Sequence, residues 1–245
     1  MLLLLWIYYR NRLVDCFKAS GWLGITAGVF LGLANTTVIL AMSYTTIANA
    51  LFTLSACPLI TAILARMVLK ERISLATLIA IVVAMLGIII MIADGLSSGS
   101  LIGNLIALAC ATFFSFYVIA LRRGKDQDML PSSVVGGLVG MLLGLIGSNF
   151  NCVMSVHDTL ICFVWGGIIV VAVYSLFVIG SRHVPGAEMM LITLIEFILG
   201  PIWVWLAFSE EPSERTLIGG AFVLAAVTGR SIIIMREDNK TRSKN

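Results

Sequence analysis

Apolar residues occur along this chain in long stretches that are separated by short polar breaks. A helix needs about 20 apolar residues to cross the roughly 30 Å hydrocarbon core of a bilayer. Barrel strands would alternate apolar and polar residues, which these stretches do not. The pattern therefore predicts membrane helices, and we place them near residues 21–43, 47–69, 73–93, 101–121, 129–150, 159–181, 184–208 and 216–235.

The composition supports a membrane protein, since 60% of the residues are hydrophobic and 12% are charged. Soluble domains carry about 25% charged residues. A further apolar run, MLLLLWIYY, occupies only the first nine residues and is followed by Arg10 and Arg12. No basic residue precedes it, so we interpret it as the inner end of a membrane helix and not as a signal peptide. The cysteines form no CxxC pair, and we predict no disulfide, metal, cofactor or nucleic-acid partner.

Basic residues favour one side of the predicted membrane topology. The loops of the opposite side contain Arg215 as their basic residue, together with several acidic residues. Because basic loops stay inside, the richer side is expected to be cytoplasmic, with the C-terminus inside the cell (plasma or inner) membrane. The basic residues of that side are Arg10, Arg12, Lys18, Lys70, Arg72, Arg122, Arg123, Lys125, Arg182, Arg236, Lys240, Arg242 and Lys244.

The chain contains an internal repeat with an offset of 139 residues. This shift aligns ERISLATLI (71–79) with EEPSERTLI (210–218), with identical residues at five of nine positions. The helices at 21–43, 47–69 and 73–93 then correspond to those at 159–181, 184–208 and 216–235. Corresponding helices cross the membrane in opposite directions, which defines an inverted-topology repeat of the kind found in secondary transporters.

The second repeat has two more helices in front, at 101–121 and 129–150. Their counterparts would fall largely before residue 1, so the first repeat is expected to lack about one and a half helices. The expected fold is an all-α polytopic protein with two inverted five-helix repeats, present as eight full helices and an N-terminal stub. We place the repeats at 1–94 and 99–236, before a cytoplasmic tail at 237–245. The alternative is a nine-helix protein whose first helix is short, although nine residues span only about 14 Å.

These features resemble the drug/metabolite transporter superfamily, specifically its EamA-type members. Each repeat closes with an acidic residue ahead of a Ser-x-x-x-Leu-Ile segment, at Ser74 and Ser213, and with a last helix rich in small residues. The resemblance extends from about Gly21 to near the end of the chain. It implies secondary transport of amino acids, metabolites, nucleotide-linked compounds or toxic cations. EamA members often have Glu-Pro in the penultimate helix, whereas Glu196 here precedes Phe197.

Glu196 lies in the middle of the apolar run LITLIEFILGPIWVW. A charge at a helix centre costs about 2.5 to 3.5 kcal/mol, so such residues usually face a cavity or a partner. We predict that Glu196 binds a cationic group of the substrate or carries a coupling proton, with Trp203 on the same helical stripe. The alternative is a protonated glutamate that bonds a neighbouring helix. For Glu188, at the expected cytoplasmic end of this helix, both helix capping and gating remain open.

The repeat pairs Asn35 with Tyr174 and Thr36 with Ser175. Polar side chains at equivalent places in two repeats suit a substrate site on a pseudo-twofold axis, so Asn35, Tyr174 and Ser175 join the predicted site. Ordinary hydrogen bonding between helices is the alternative. Asn104, Ala107, Ala111 and Ser115 form a small stripe on one helix, which we interpret as a packing surface.

The sequence thus predicts a secondary transporter, an exporter or exchanger of small polar or cationic metabolites that works by alternating access. Proton coupling and a homodimer are both open. An intramembrane enzyme is disfavoured because His157 and His183 fall in loops on opposite sides and no HExxH, GxSxG or Walker A pattern occurs. A channel would need more polar pore-lining positions. The remaining alternative is a truncated remnant that does not transport.

Overall fold

A computed structural model describes residues 13–70, 75–98, 100–150, 154–183 and 213–242, together with Leu199, Trp203, Trp205 and Leu206. Across these residues the secondary structure is helical, with no strand. The all-α prediction is therefore confirmed for this part of the chain. The inverted repeat and the total number of helices stay predictions.

The described helices follow the predicted spans closely, which shows that the apolar runs set their positions. The helix predicted at 184–208 lies outside the described residues except at four isolated positions. The others are α1 (Leu13–Met42), α2 (Ile47–Leu54), α3 (Cys57–Leu69), α4 (Leu75–Ser98), α5 (Leu101–Arg123), α6 (Pro131–Gly147), α7 (Val156–Val164), a π-helical turn (Trp165–Ile169), α8 (Val170–His183) and α9 (Glu214–Arg242).

Several of these helices are long and apolar enough to cross a bilayer. Within the described residues the candidate spans are Phe17–Met42, Ile47–Val68, Leu101–Arg123 and Val156–Gly180, and shorter apolar helices cover Leu78–Ile90 and Pro131–Gly147. More than one crossing makes this a multi-pass membrane protein.

The first predicted helix begins earlier than expected. We placed its start at residue 21, whereas α1 begins at Leu13 and is kinked at Gly21, which has φ 55° and ψ −157°. Only glycine adopts this region readily, because a Cβ atom would clash with the backbone. The polar residues before Gly21 are compatible with helix, so the polar break marks a kink inside α1 and not its beginning.

The chain divides into two compact units. The first draws on Met1–Thr36 and Phe116–Val184, and the second on Thr37–Ser115 and Pro185–Asn245. Each unit therefore combines residues from both predicted repeats. Their boundaries fall inside α1 and α5.

In the first unit, α1 packs closely against α6 through two glycines. A Cβ atom added to Gly28 would lie 2.5 Å from the Ser132 carbonyl oxygen, and one added to Gly32 would lie 2.7 Å from that of Gly136. Small residues at such spacing let membrane helices approach backbone to backbone. This contact brings Gly28 of α1 to the first turns of α6.

In the second unit, α3, α4 and α9 share an apolar core. A Cβ atom on Gly87 of α4 would lie 2.5 Å from the Gly219 carbonyl oxygen of α9, so these two helices also meet closely. The buried members of this core are Ala56, Leu59, Ala80, Ile81, Ala84, Val223, Ala226 and Val227.

Candidate substrate site

Two residues that the sequence repeat pairs with each other, Asn35 and Tyr174, meet in the first unit. The Tyr174 hydroxyl donates a hydrogen bond of 2.6 Å to Asn35 Oδ1. Asn35 lies in the candidate span Phe17–Met42 and Tyr174 in Val156–Gly180. The bond therefore links two apolar helices across 139 residues of sequence.

This hydrogen bond fixes the orientation of the Asn35 amide. Because Oδ1 accepts the phenol proton, Nδ2 points away from Tyr174 with two N–H donors. No second partner of this amide is found among the described residues. Asn35 is also only half-buried. The amide therefore offers donors to an acceptor group of a ligand, such as a carbonyl, hydroxyl or carboxylate oxygen.

Two pairs of aromatic rings lie in the same unit as the polar pair. Tyr117 of α5 is fully buried and stacks on Phe177 of α8, with ring centroids 6.3 Å apart. Phe30 and Phe116 stack at 4.9 Å. Both separations lie within the usual range for aromatic pairs. These ring pairs connect α5 with α1 and with α8.

Hydroxyl groups extend the polar part of this unit. The Tyr117 hydroxyl lies near the side chains of Ser132, Ser133 and Tyr174. Both serines are buried at the start of α6. Amide and hydroxyl groups of this kind bind neutral or zwitterionic polar solutes through hydrogen bonds.

Ser175 has a different environment from Tyr174. It is buried, and its hydroxyl donates to the Val171 carbonyl oxygen in its own helix at 2.7 Å. Its repeat partner Thr36 makes the same type of bond to the Gly32 carbonyl oxygen at 2.9 Å. The two hydroxyls therefore donate within their own helices.

The other predicted site residues are not brought to this pair by the described structure. Glu196 and Glu188 lie outside the described residues. Trp203 is helical and 65% exposed, and it belongs to the second unit.

Sequence reasoning missed three members of the cluster, namely Tyr117, Ser132 and Ser133. None of the three is among the site residues that the sequence predicted. A tyrosine in an apolar run was the available signal, because a buried phenol usually finds a polar partner.

A second polar cluster, in the second unit, was also missed. The Asn49 network consists of Ser213, Thr216, Asn49, Thr45 and Asn104. The Ser213 hydroxyl donates to the Thr216 hydroxyl at 3.0 Å, and the Thr216 hydroxyl donates to Asn49 Oδ1 at 2.6 Å. Asn49 Nδ2 then donates to the Thr45 hydroxyl at 3.2 Å, and the Thr45 hydroxyl donates to Asn104 Oδ1 at 2.9 Å. Each hydroxyl of the series donates one bond to the next residue, and the series joins the first turns of α2, α5 and α9.

These elements define an α-helical multi-pass membrane protein with a polar pair between two membrane-crossing helices. Residues 1–93 match the model of the EamA-like transporter family. This match confirms the predicted resemblance to EamA-type members of the drug/metabolite transporter superfamily over that segment. The family is one of transporters, in keeping with the prediction that the chain is not an enzyme.

The fold has a counterpart among solved structures. One of them, titled "Crystal structure of protein", shares 16% sequence identity and a TM-score of 0.53, over 91% of this chain and 93% of that chain. At this identity the likeness concerns the fold alone. No curated protein matches the chain.

Proposed function

We propose that the protein is a secondary transporter, an exporter or exchanger, of small polar or cationic metabolites, and that the Asn35–Tyr174 pair is part of its substrate site. The family match supports transport of a small molecule across the membrane. The observation that carries the site is the 2.6 Å bond between these residues, which leaves the Asn35 N–H donors available. A polar group inside an apolar helix bundle costs free energy unless it has a hydrogen-bond partner, so such groups often belong to a functional site.

In this proposal the substrate replaces water at the Asn35 amide. An acceptor group of the solute takes the N–H donors, while the partly exposed ring of Phe177 contacts its apolar part. Alternating access then exposes the site to one side of the membrane at a time. Glu196 binds the cationic group of the substrate or carries the coupling proton, and Trp203 lies on the same helical stripe as part of the site. Glu188 serves as a gate or a helix cap. The plasma or inner membrane is the proposed location, with the C-terminus in the cytoplasm.

Counterflow in proteoliposomes tests the proposal with the full-length chain. Three radiolabelled probes cover the relevant chemistries: tetraethylammonium as a cation, alanine as a zwitterion and ribose as a neutral polyol. We expect exchange of the cation or the zwitterion above protein-free liposomes. If none of the three is exchanged above that background, the proposal is contradicted.

Substitution of Asn35 locates the site. Asn35→Leu removes the amide donors and should lower the initial rate about tenfold, as loss of one good polar contact of about 1.4 kcal/mol would. Thr26→Val is the matched control, because the Thr26 hydroxyl on the same helix bonds only to the Leu23 carbonyl oxygen. Equal rates for Asn35→Leu and the wild type would remove Asn35 from the site.

Substitution of Glu196 tests the coupling. Glu196→Gln keeps the shape of the side chain and removes its charge and exchangeable proton. We expect this variant to lose the response of the exchange rate to an imposed pH gradient, and Glu196→Ala to do the same. Wild-type rates and an unchanged gradient response in both variants would show that Glu196 has no transport role.

A further inference from the structure

The candidate span Ile47–Val68 is interrupted near its middle. Its first part, α2, ends at Leu54, and α3 begins at Cys57, after a turn formed by Ser55 and Ala56. Ser55 is the ninth of the 22 residues of the span, so the interruption lies deep in the apolar layer.

The hydrogen bonds of the backbone change type at this point. Ser55 N–H still donates to Leu51 O, four residues back, at 3.0 Å. Ala56 N–H donates instead to Thr53 O, three residues back, at 3.2 Å. A short segment of this tighter type inside a helix often marks a hinge or a strained sequence.

Pro58 explains why the regular ladder stops. Proline has no N–H, so the carbonyl of Leu54 loses its donor in the helix, and the ring disfavours the regular helix before it. Pro58 occupies the first turn of α3, where a missing N–H is best tolerated. The break is therefore built into the covalent structure of this span.

Ser115 of α5 reaches this break from across the unit. Its hydroxyl lies 3.2 Å from the Cys57 carbonyl oxygen and 2.7 Å from the Ala111 carbonyl oxygen of its own helix. A serine hydroxyl has one proton, so it donates fully to only one of these carbonyls at a time. The thiol of Cys57 lies 3.3 Å from the same hydroxyl oxygen.

Cys57 and Ser115 are both buried, so the contact is closed in this structure. When the Ser115 hydroxyl donates to the Cys57 carbonyl oxygen, the start of α3 is held to α5. When it donates to the Ala111 carbonyl oxygen instead, the bond lies within α5 and the start of α3 is released. Two carbonyl oxygens that compete for one hydroxyl hydrogen provide two discrete arrangements, which a hinge requires.

We propose that the Ser55–Ala56 interruption is a hinge in the middle of this span and that Ser115 controls it by sharing its single proton between two helices. Ser115 is thus a positioning residue for the transport cycle. The assignment to transport rests on the proposed function, whereas the hinge itself does not. Its test therefore uses no transported solute.

Two cysteines of the second unit allow a ratio measurement. Cys57 lies at the hinge, and Cys110 is equally buried on α5. The full-length protein in membranes is treated with N-ethylmaleimide, and mass spectrometry follows the modification of each thiol. Global unfolding exposes both thiols alike, whereas opening of the hinge exposes Cys57 selectively.

Ser115→Ala should raise the rate of Cys57 modification about threefold relative to Cys110, the effect of losing one average hydrogen bond between membrane helices. The matched control is Thr112→Val, because the Thr112 hydroxyl makes the same bond within α5, to the Leu108 carbonyl oxygen at 2.9 Å. This control should leave the ratio unchanged. An unchanged ratio in Ser115→Ala, or an equal rise in both variants, overturns the role of Ser115.

A second variant keeps the proposal testable if Ser115→Ala does not fold. Pro58→Ala restores the N–H at position 58 and should close the ladder to Leu54, so the Cys57 to Cys110 ratio should fall below that of the wild type. A ratio at or above the wild-type value would refute the hinge. If the ratios change as expected while no probe is exchanged in proteoliposomes, the hinge stands and the proposed function fails.

Discussion

Polar side chains meet in both units of this protein, but they do so in different ways. In the Asn49 network each residue donates a hydrogen bond to the next, and Asn49, Asn104 and Thr216 are buried. The Asn35–Tyr174 pair is half-buried and makes a single bond between its side chains. A buried series of successive hydrogen bonds holds helices together, whereas an accessible amide with N–H groups to spare can bind a ligand.

The source of helix packing explains this difference. In the first unit, Gly28 and Gly32 let α1 approach α6 so closely that backbone contacts hold the helices. The polar pair joins α1 to a different helix, α8. In the second unit, the Asn49 network itself ties together the first turns of three helices. The following predictions test this contrast, in order of decreasing effect on stability.

Gly28→Leu should cause the largest loss of stability. Its Cβ atom alone would lie 2.4 Å from Val135 Cβ and 2.5 Å from a backbone oxygen that cannot move by rotation. We expect the free energy of unfolding to fall by about 3 kcal/mol, the upper part of the range for overpacking. Thermal unfolding of the purified protein in detergent measures this.

Gly137→Leu is the control for that prediction. Gly137 is exposed on the same helix as Val135, and a Cβ atom there would meet nothing within 4 Å. Its melting temperature should stay near that of the wild type. If both variants were equally stable, glycine contacts would not hold the first unit together.

Asn49→Leu should cause the second-largest loss of stability. It removes the amide between Thr216 and Thr45, so a buried hydroxyl loses its acceptor, at a cost of about 2 kcal/mol. The same unfolding measurement applies. In the double variant with Thr216→Val the cost should be smaller than the sum of the single costs, because both partners of one bond are then absent. Additive costs would show that the network is not a coupled unit.

Tyr174→Phe should lower the free energy of unfolding by less than Asn49→Leu does. It removes one hydrogen bond between two membrane helices, which is worth about 0.6 kcal/mol on average. The Asn35 amide loses its anchor but stays accessible, so transport should decline more clearly than stability. A loss of stability as large as that of Asn49→Leu would mean that the pair holds the helices, and the contrast between the two clusters would disappear.

The sequence predicted the helices well because hydrophobic length alone determines which segments can cross a bilayer. The stripe of Asn104, Ala107, Ala111 and Ser115 is buried, as its helical spacing indicates. The kink at Gly21 and the break before Pro58 were harder to locate. Both depend on local backbone geometry that hydropathy does not record.

The candidate site was predictable only in part. The 139-residue offset pointed to Asn35 and Tyr174 as equivalent positions. Adding 139 to residues 1–36 gives 140–175, and both ranges lie in the first unit. By contrast, Asn49 and Thr216 are 167 residues apart and match no repeat offset. Partners of that kind are specified by tertiary packing, which a single sequence does not reveal.

Ser175→Ala gives the smallest expected effect and the finest test of the comparison. The Ser175 hydroxyl donates to its own helix, and such bonds contribute little because the carbonyl already accepts from the backbone. Stability should change by less than about 0.5 kcal/mol, as for substitutions that break no packing contact or network. If the substrate uses this oxygen as an acceptor, the exchange rate in proteoliposomes falls about threefold, well short of the loss in Asn35→Leu. An equal loss in the two variants would make Ser175, and not only the Asn35 amide, a principal contact, because two neighbouring helices would then supply the donors and acceptors in equal measure.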